Sequence, residues 1–336
     1  MIKLVLTDLD NTLLPSGEEH VSYRAVTAIR DLLELGVRFG PATGRDTFEL
    51  ERMFFGARDC YATGIAANGK RVYVDGELRR YALMDNDSVA RLVSLVSETP
   101  NAFVTTLAFD NPRGREPYRC IGARGGDMAW FERNIGFVGE LCDEVPGENL
   151  IATTIACAGT QEQLDDIVRR AREEVPEFDY AQPCEHWVDV LPAGLNKGSA
   201  LPLLLDELGI TSDEVLFFGD ADNDVALMGA VEHSVAVANA TPAAAAAARW
   251  HIGAAEDEAV AEALEELVDA LREDRTPTFM LPEGQVRPAF EEQSEADDEY
   301  DVTAEAIGQL LAAHLGPELG GEAGTPGGAG GDAAQL

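Results

Sequence analysis

The chain has 336 residues, 46% of them hydrophobic, with 61 acidic side chains against 25 Lys and Arg, a formal net charge of −36. Such a surface repels nucleic acid and anionic lipid and argues against a phosphate-backbone or membrane-surface binder. The apolar content argues against a disordered polymer over most of the length, and the size suits two domains.

The five cysteines (Cys60, Cys120, Cys142, Cys157 and Cys184) are scattered, form no CxxC pair and have no histidine at metal-ligand spacing. Reduced thiols in a cytoplasmic protein are the expectation. The N-terminus enters a strand without a signal-peptide pattern, and no apolar run approaches the ~20 residues that span a bilayer. Only three lysines occur, Lys3, Lys70 and Lys197.

In chain order, "MIKLVLT" is a short apolar run of the kind buried on both faces of a parallel sheet. "SYRAVTAIRDLLELG" has helical periodicity and a terminal Gly, "VRFGPAT" is the next strand, and "RDTFELERMFF" another helix. "CYATGIAANGKRVYVDGELRRYAL" predicts a strand and a hairpin turning at Asp75–Gly76. From about residue 80 to 190 the texture changes. Helical stretches there separate the strand-like "AFVTTLAFD", "NLIATTIACAG" and "HWVDVLP", and "NPRGREPYRCIGARGG" is expected to be a loop. The alternation returns with "SALPLLLDELG", where Pro202 is expected in the opening turn of a helix. Strand "DEVLFFGD", helix "DVALMGAV", strand "HSVAVAN", helix "TPAAAAAARW" and helix "EDEAVAEALEELVDALRE" follow.

These elements predict an α/β fold: a doubly wound parallel sheet from residues 1–80 and 190–275, an inserted α+β cap over 81–189, and an acidic, Gly/Ala-rich, largely disordered tail over 276–336.

Four segments fall at the ends of predicted core strands or the starts of the following helices, the edge where open α/β sheets bind ligands. They are "DLDNT" (Asp8 to Thr12), "ATGR" (Ala42 to Arg45), "NKG" (Asn196 to Gly198) and "GDADND" (Gly219 to Asp224). Singly, each has an ordinary reading: a turn with a helix cap, a turn hydroxyl, a solvated lysine, an acidic loop. Jointly they describe one site. Asp8 and Asp10 are two residues apart, so on a strand they face the same way, and like charges held that close need compensation. A cation, a shared proton or solvent at a loop tip would supply it, and among cations Mg²⁺ suits an all-oxygen set.

With these motifs in this order, the sequence resembles the haloacid dehalogenase-like superfamily over about Ile2 to Arg272. The large insert, with "WVDVLPAGLNKGSAL" and "GDADNDVALM", resembles the Cof-type phosphatases with a class IIB cap, in the wider group of sucrose-phosphate phosphatase and phosphomannomutase. The resemblance implies Asp8 as a nucleophile forming an aspartyl-phosphate, and Asp10 as general acid and then base. It implies that Thr43, Gly44, Lys197 and Asn223 bind the phosphoryl oxygens, with the Gly44 amide at a helix start. Metal ligands would be Asp8, the Asp10 backbone carbonyl, Asp220, and Asp224 directly or through water. Acid catalysis by Asp10 calls for an upward pKa shift from the ordinary ~3.9. Asn11, where many relatives have Gly, is a mild departure that concerns the turn.

Other candidates rank lower. Arg45 reads as a surface residue, Trp187 as packed, Asn68–Gly69 as a turn near the entrance, and Arg113, Arg115, Arg119 and Arg124 as a solvated cap loop. His186, His233 and His251 share no ligand spacing. The expected activity is Mg²⁺-dependent hydrolysis of a small soluble phosphomonoester, a sugar phosphate or related metabolite, with no nucleic acid or membrane partner. Its rivals are phosphoryl transfer of the phosphomannomutase kind and a non-catalytic, phosphate-ligand-binding regulatory protein. The second would not need both a nucleophile and an acid/base. A P-type ATPase fragment would need a DKTGT sequence and membrane spans.

Overall fold

Short apolar runs become the main sheet. In the computed structural model, which describes residues 1–109, 118–135, 137–147 and 149–282, five strands lie parallel in the order Trp250–Ile252, His233–Val237, Val215–Gly219, Leu4–Thr7 and Arg38–Pro41. Leu4 pairs with Arg38 on one side and Val215 on the other, and every residue of Leu4–Thr7 is buried. A strand covered on both faces has no wet side, so its sequence shows no polar alternation.

The chain leaves Leu4–Thr7 in one direction to reach Arg38–Pro41, and runs in the other from Val215–Gly219 to Trp250–Ile252. Right-handed crossovers in opposite directions put their helices on opposite faces. The reversal lies between Leu4–Thr7 and Val215–Gly219, and such a switch point opens a crevice at the carboxyl edge. Helix Tyr23–Glu34 is capped by Ser22 and buries Ala25, Val26, Ala28, Ile29 and Leu32 on one stripe. It packs beside helix Ala259–Glu273, with Arg24 and Glu265 paired at 2.6 Å on the rim.

A three-stranded antiparallel sheet, Gly64–Ala66, Arg71–Val74 and Glu77–Tyr81, flanks the edge and turns at Asp75–Gly76, both at positive φ. The Thr43 amide donates to the Ile65 carbonyl at 2.9 Å, joining the two sheets. The approach is close: a Cβ on Gly40 would lie 1.5 Å from the Thr63 carbonyl oxygen.

The insert carries a six-stranded sheet in the order Phe178–Cys184, Trp187–Pro192, Leu150–Cys157, Ala102–Ala108, Tyr118–Ile121 and Glu140–Cys142. Only the last pair is parallel. It has its own apolar cluster, in which Val89 and Leu92 of helix Asn86–Val96 and Ile167 of helix Gln161–Glu174 meet Val104, Ile155, Val188 and Val190. Arg71 ties this sheet to the core hairpin. Its Nη2 donates to the Phe109 carbonyl at 2.7 Å, its guanidinium lies 4.5 Å from the Phe109 ring centre, and its Nε is 3.2 Å from Asp46.

Several local expectations change. Tyr118–Ile121, expected within a loop, is a strand: Cys120 and Ile121 are buried, and pairing with Ala102–Ala108 decides its conformation. Trp250–Ile252 is a strand rather than the end of a helix, because helix Pro242–Ala247 stops early. Helix Lys197–Leu208 begins at its Asn196 cap, which puts Pro202 in the second turn rather than the first, where it forfeits a bond to the Gly198 carbonyl. The start of the expected tail is packed: Phe279 and Met280 join the core, and the Phe279 ring lies 6.1 Å from that of Phe218. The tail beyond residue 282, and Arg113 and Arg115, lie outside the described residues. No helix among the described residues is long and apolar enough to cross a membrane.

Candidate active site

The carboxyl edge of the parallel sheet gathers the acidic side chains. Asp8 directly follows Leu4–Thr7, and its amide donates to the Phe218 carbonyl at 2.8 Å, fixing it beside the neighbouring strand. Asp220 directly follows Val215–Gly219, and its carboxylate accepts from the Thr12 hydroxyl at 2.8 Å. Asp224 is fully buried, and its Oδ2 accepts the amides of Asp220 (3.0 Å) and Ala221 (3.1 Å), so the loop wraps its own carboxylate. A Cβ on Gly219 would lie 2.8 Å from that carboxylate, which explains the glycine. Oxygens of Asp8, Asp220 and Asp224 all lie within 4.8 Å of one another.

Lys197 opens its helix into this cluster. Its ammonium is buried and donates to Asp8 at 2.8 Å and Asp224 at 2.7 Å. One cation faces three carboxylates, and the electrostatics register the shortfall. Burial pushes the Asp8 carboxyl well above the usual carboxylate range against the pull of Lys197, with Asp224 and Asp220 adding to the rise. Burial and then Asp224 push Asp220 up to about 7. Burial opposes the charge on Lys197, but Asp224 and Asp8 outweigh it and hold its pKa above the ordinary value. A buried, all-oxygen, carboxylate-rich donor set short of positive charge fits a hard divalent cation such as Mg²⁺, which takes a few carboxylates and keeps water on its remaining positions.

The remaining sequence candidates surround this centre. The Ala42 amide donates to the Thr7 carbonyl at 2.8 Å, so Thr43 and Gly44 leave the strand next to Asp8's. Thr43 is buried, and its hydroxyl oxygen accepts the Arg45 amide at 3.2 Å. Gly44 is not at a helix start as expected. The helix runs Thr47–Met53 behind an Asp46 cap, with Asp46 and Glu49 closing a capping box. An acidic side chain already serves that N-terminus, so the Gly44 amide belongs to the preceding turn. Asn223 lies against Asn68, its Nδ2 3.5 Å from Asn68 Oδ1, while its own buried Oδ1 has no partner among the described residues.

Asp10 does not join the acidic cluster. Arg45 grips its carboxylate in a two-point pair, Nε to Oδ2 at 2.9 Å and Nη2 to Oδ1 at 2.8 Å, and reaches Glu49 at 2.9 Å through Nη1. The Arg45 side chain is 40% exposed, as expected of a surface residue, and it also fixes the Asp10 carboxylate. Its spacing to Glu49, one helical turn on, was the available signal. Sequence reasoning also missed Asp189, Lys70 and Arg71. Asp189 sits between the buried Val188 and Val190 on a strand, so it faces the opposite side from both, and it accepts from Asn68 Nδ2 at 2.9 Å. Trp187 packs, with its ring 4.9 Å from that of Phe137. Arg119 pairs with Glu140 and takes no part in the site. His186 Nδ1 and His251 Nε2 lie 2.9 Å from the Cys157 and Ala245 carbonyls.

Comparison with known proteins agrees with this geometry. A model of the haloacid dehalogenase-like hydrolases matches residues 5–264. An HMP-PP phosphatase of Klebsiella pneumoniae (strain 342) is 30% identical over 250 residues, spanning 72% of this chain and 86% of that protein. An HMP-PP phosphatase of Enterobacter sp. (strain 638) is 28% identical over 253 residues, with the same shares of each chain. Among solved structures, the HAD subclass IIB sugar phosphatase BT4131 superposes with a TM-score of 0.66 at 17% identity, over 79% of this chain and 98% of that one. A HAD/COF-like hydrolase from Plasmodium vivax gives 0.66 at 21% identity, over 80% and 96%. The chain belongs to the haloacid dehalogenase-like hydrolase family. Within it, the chain is a phosphatase.

Proposed function

We propose that the chain hydrolyses a small soluble phosphomonoester, a sugar phosphate or related metabolite, with Mg²⁺ and through an aspartyl-phosphate. The observation that carries this reading is the buried cluster in which Lys197 bridges Asp8 and Asp224 while Asp220 lies within 4.8 Å. Asp8, Asp220, Asp224 and the Asp10 backbone carbonyl would hold the cation, with Asp224 acting directly or through water. When bound, the cation neutralises charge on the substrate phosphate and on the carboxylates around it.

Asp8 attacks phosphorus, forming an oxygen–phosphorus bond as the bond to the leaving oxygen breaks, and Asp10 gives that oxygen a proton. Asp10 then takes a proton from water, which attacks the phosphoryl group and frees Asp8 with release of phosphate. Lys197, the Thr43 hydroxyl, the Gly44 amide and the Asn223 amide hold the phosphoryl oxygens, where charge is greatest in the transition state. The Arg45 pair holds the Asp10 side chain apart from the cation ligands. We take residues 1–80 and 190–275 as the catalytic core and 81–189 as a cap that excludes bulk water over the site. The free thiols of Cys60, Cys120 and Cys157 support a cytoplasmic location.

The test is phosphate release from a panel of phosphate monoesters that includes sugar phosphates and HMP-PP, with Mg²⁺ and with chelator. Turnover that needs the cation supports the reading. A folded chain that binds Mg²⁺ yet releases no phosphate from any compound overturns it.

A pH signature accompanies the site. Without a cation, the raised Asp8 and Asp220 stay protonated in the folded chain above the pH where they ionise in the unfolded one. The folded state then binds more protons, so stability falls as pH rises from about 4 through about 7, where Asp220 ionises, and keeps falling until Asp8 ionises too. Melting temperatures in chelator should fall across that window, and Mg²⁺ should recover most of the loss at neutral pH where K⁺ does not. A flat profile in chelator would contradict an undercompensated cluster.

A further inference from the structure

Lys70 is the one lysine that neither the site described above nor the surface accounts for. It follows the Asn68–Gly69 turn on the core side of the cap interface and is 3% exposed. Ala67 and Asn68 hold positive φ, and Gly69, at φ +98°, would put a Cβ 2.5 Å from the Asn196 carbonyl. The turn is therefore pressed against the start of the Lys197 helix and fixed there. Among the described residues, the Lys70 ammonium has no hydrogen bond and no ion pair within 4.0 Å. Lys3 pairs with Glu214, and Lys197 with Asp8 and Asp224.

The acids that face Lys70 are engaged elsewhere. Asp46 is held by Arg71 at 3.2 Å and by the Thr47 amide at 2.6 Å. Asp189 accepts from Asn68, and burial pushes its carboxyl up toward the neutral form despite the pull of Lys70. Burial likewise lowers Lys70 to about 8, opposed by Asp189 and Asp46. An isolated buried ammonium is costly unless a partner arrives. Its position identifies that partner's place. Asp189 lies in the fields of both Lys70 and Lys197, and Asn68 bridges Asp189 to Asn223, next to Asp224. Lys70 therefore stands next to the Asn68–Asp189 pair and the start of the Lys197 helix, on the side of the phosphate site that faces the cap strand Trp187–Pro192.

We propose that Lys70 selects substrates whose leaving group carries a second anionic group, a carboxylate or a phosphate, which its buried ammonium binds beside Asn68 and Asp189. This deepens the phosphatase reading and rests on it. Substrates with a neutral leaving group leave the ammonium unpaired, whereas doubly anionic ones form a charge-assisted bond in a desolvated place.

Three compounds on one scaffold test it: propyl phosphate, 3-phosphooxypropanoate and propane-1,3-diyl bisphosphate. Their binding is measured by calorimetry with Mg²⁺ on Asp8→Asn, with Lys70 intact and with Lys70→Met. With Lys70, at least one of the two doubly anionic compounds should bind about tenfold or more tighter than propyl phosphate, and which one does separates carboxylate from phosphate. Lys70→Met should bring the ratio to within about twofold. A purely structural lysine would shift all three compounds together and leave the ratio standing, which overturns the proposal, as does a ratio near one with Lys70 present. In the chain with Asp8 intact, the same ratio is read in kcat/KM. Absence of turnover there fails the phosphatase reading, while the calorimetric ratio still decides the role of Lys70. Should Lys70→Met not fold, the Nζ signal of Lys70, one of only three lysines, keeps the question answerable. It should move on addition of the tighter doubly anionic compound and stay in place with propyl phosphate, and an unmoved signal overturns the proposal.

Discussion

Asp8→Asn is expected to remove phosphate release almost completely, by roughly 10⁴-fold or more in kcat, while leaving the chain folded. The amide keeps the size of the carboxyl and still accepts from Lys197, but it cannot form the acyl-phosphate bond. The same change relieves a buried cluster in which three carboxylates share one ammonium. In chelator the variant should therefore melt no lower than the parent. A phosphate-release assay beside a thermal melt separates the two effects. Residual turnover above about a hundredth of the parent rate would move the nucleophile away from Asp8.

Lys197→Met should act in the opposite sense on stability. Among the described residues no other cation touches Asp8 or Asp224, so the change strands both carboxylates in a place where Lys197 itself is 1% exposed. Breaking a buried pair from one side costs about 3–5 kcal/mol. In a chain of this size, that lowers the melting temperature by on the order of 10 °C. The loss should be greatest in chelator near neutral pH and smaller near pH ~4, where burial keeps Asp8 protonated. Phosphate release should fall with it, because the phosphoryl oxygens lose a donor. A variant that melts like the parent in chelator would mean that the ammonium contributes nothing net to the cluster.

Much of this centre was legible in the sequence because its members sit at strand ends. An apolar run that stops at a carboxylate places that carboxylate at the edge of a parallel sheet, and two such runs gave Asp8 and Asp220. Lys197 was legible through the Asn196–Gly198 segment just ahead of the expected helix. What escaped was set by pairing between distant segments. Asn68 meets Asp189 across 121 positions of sequence, and no local pattern encodes that meeting. Arg45 meets Asp10 across 35. The Tyr118–Ile121 strand hid among arginines and glycines because its partner strands, rather than its own propensity, make it a strand. Pro202 was misplaced for a local reason: the helix starts at its cap, upstream of the first apolar residues.

The packing of Phe279 on Phe218 fixes how short this enzyme can be made. The family match ends at residue 264, inside helix Ala259–Glu273. A chain cut there would lose Leu267 and Val268 from the core, and with them the aromatic plug behind the strand that delivers Asp220. Burying a single phenylalanine is worth about 1.5–3 kcal/mol. A self-sufficient unit therefore extends at least through Met280, past the end of the family match at residue 264.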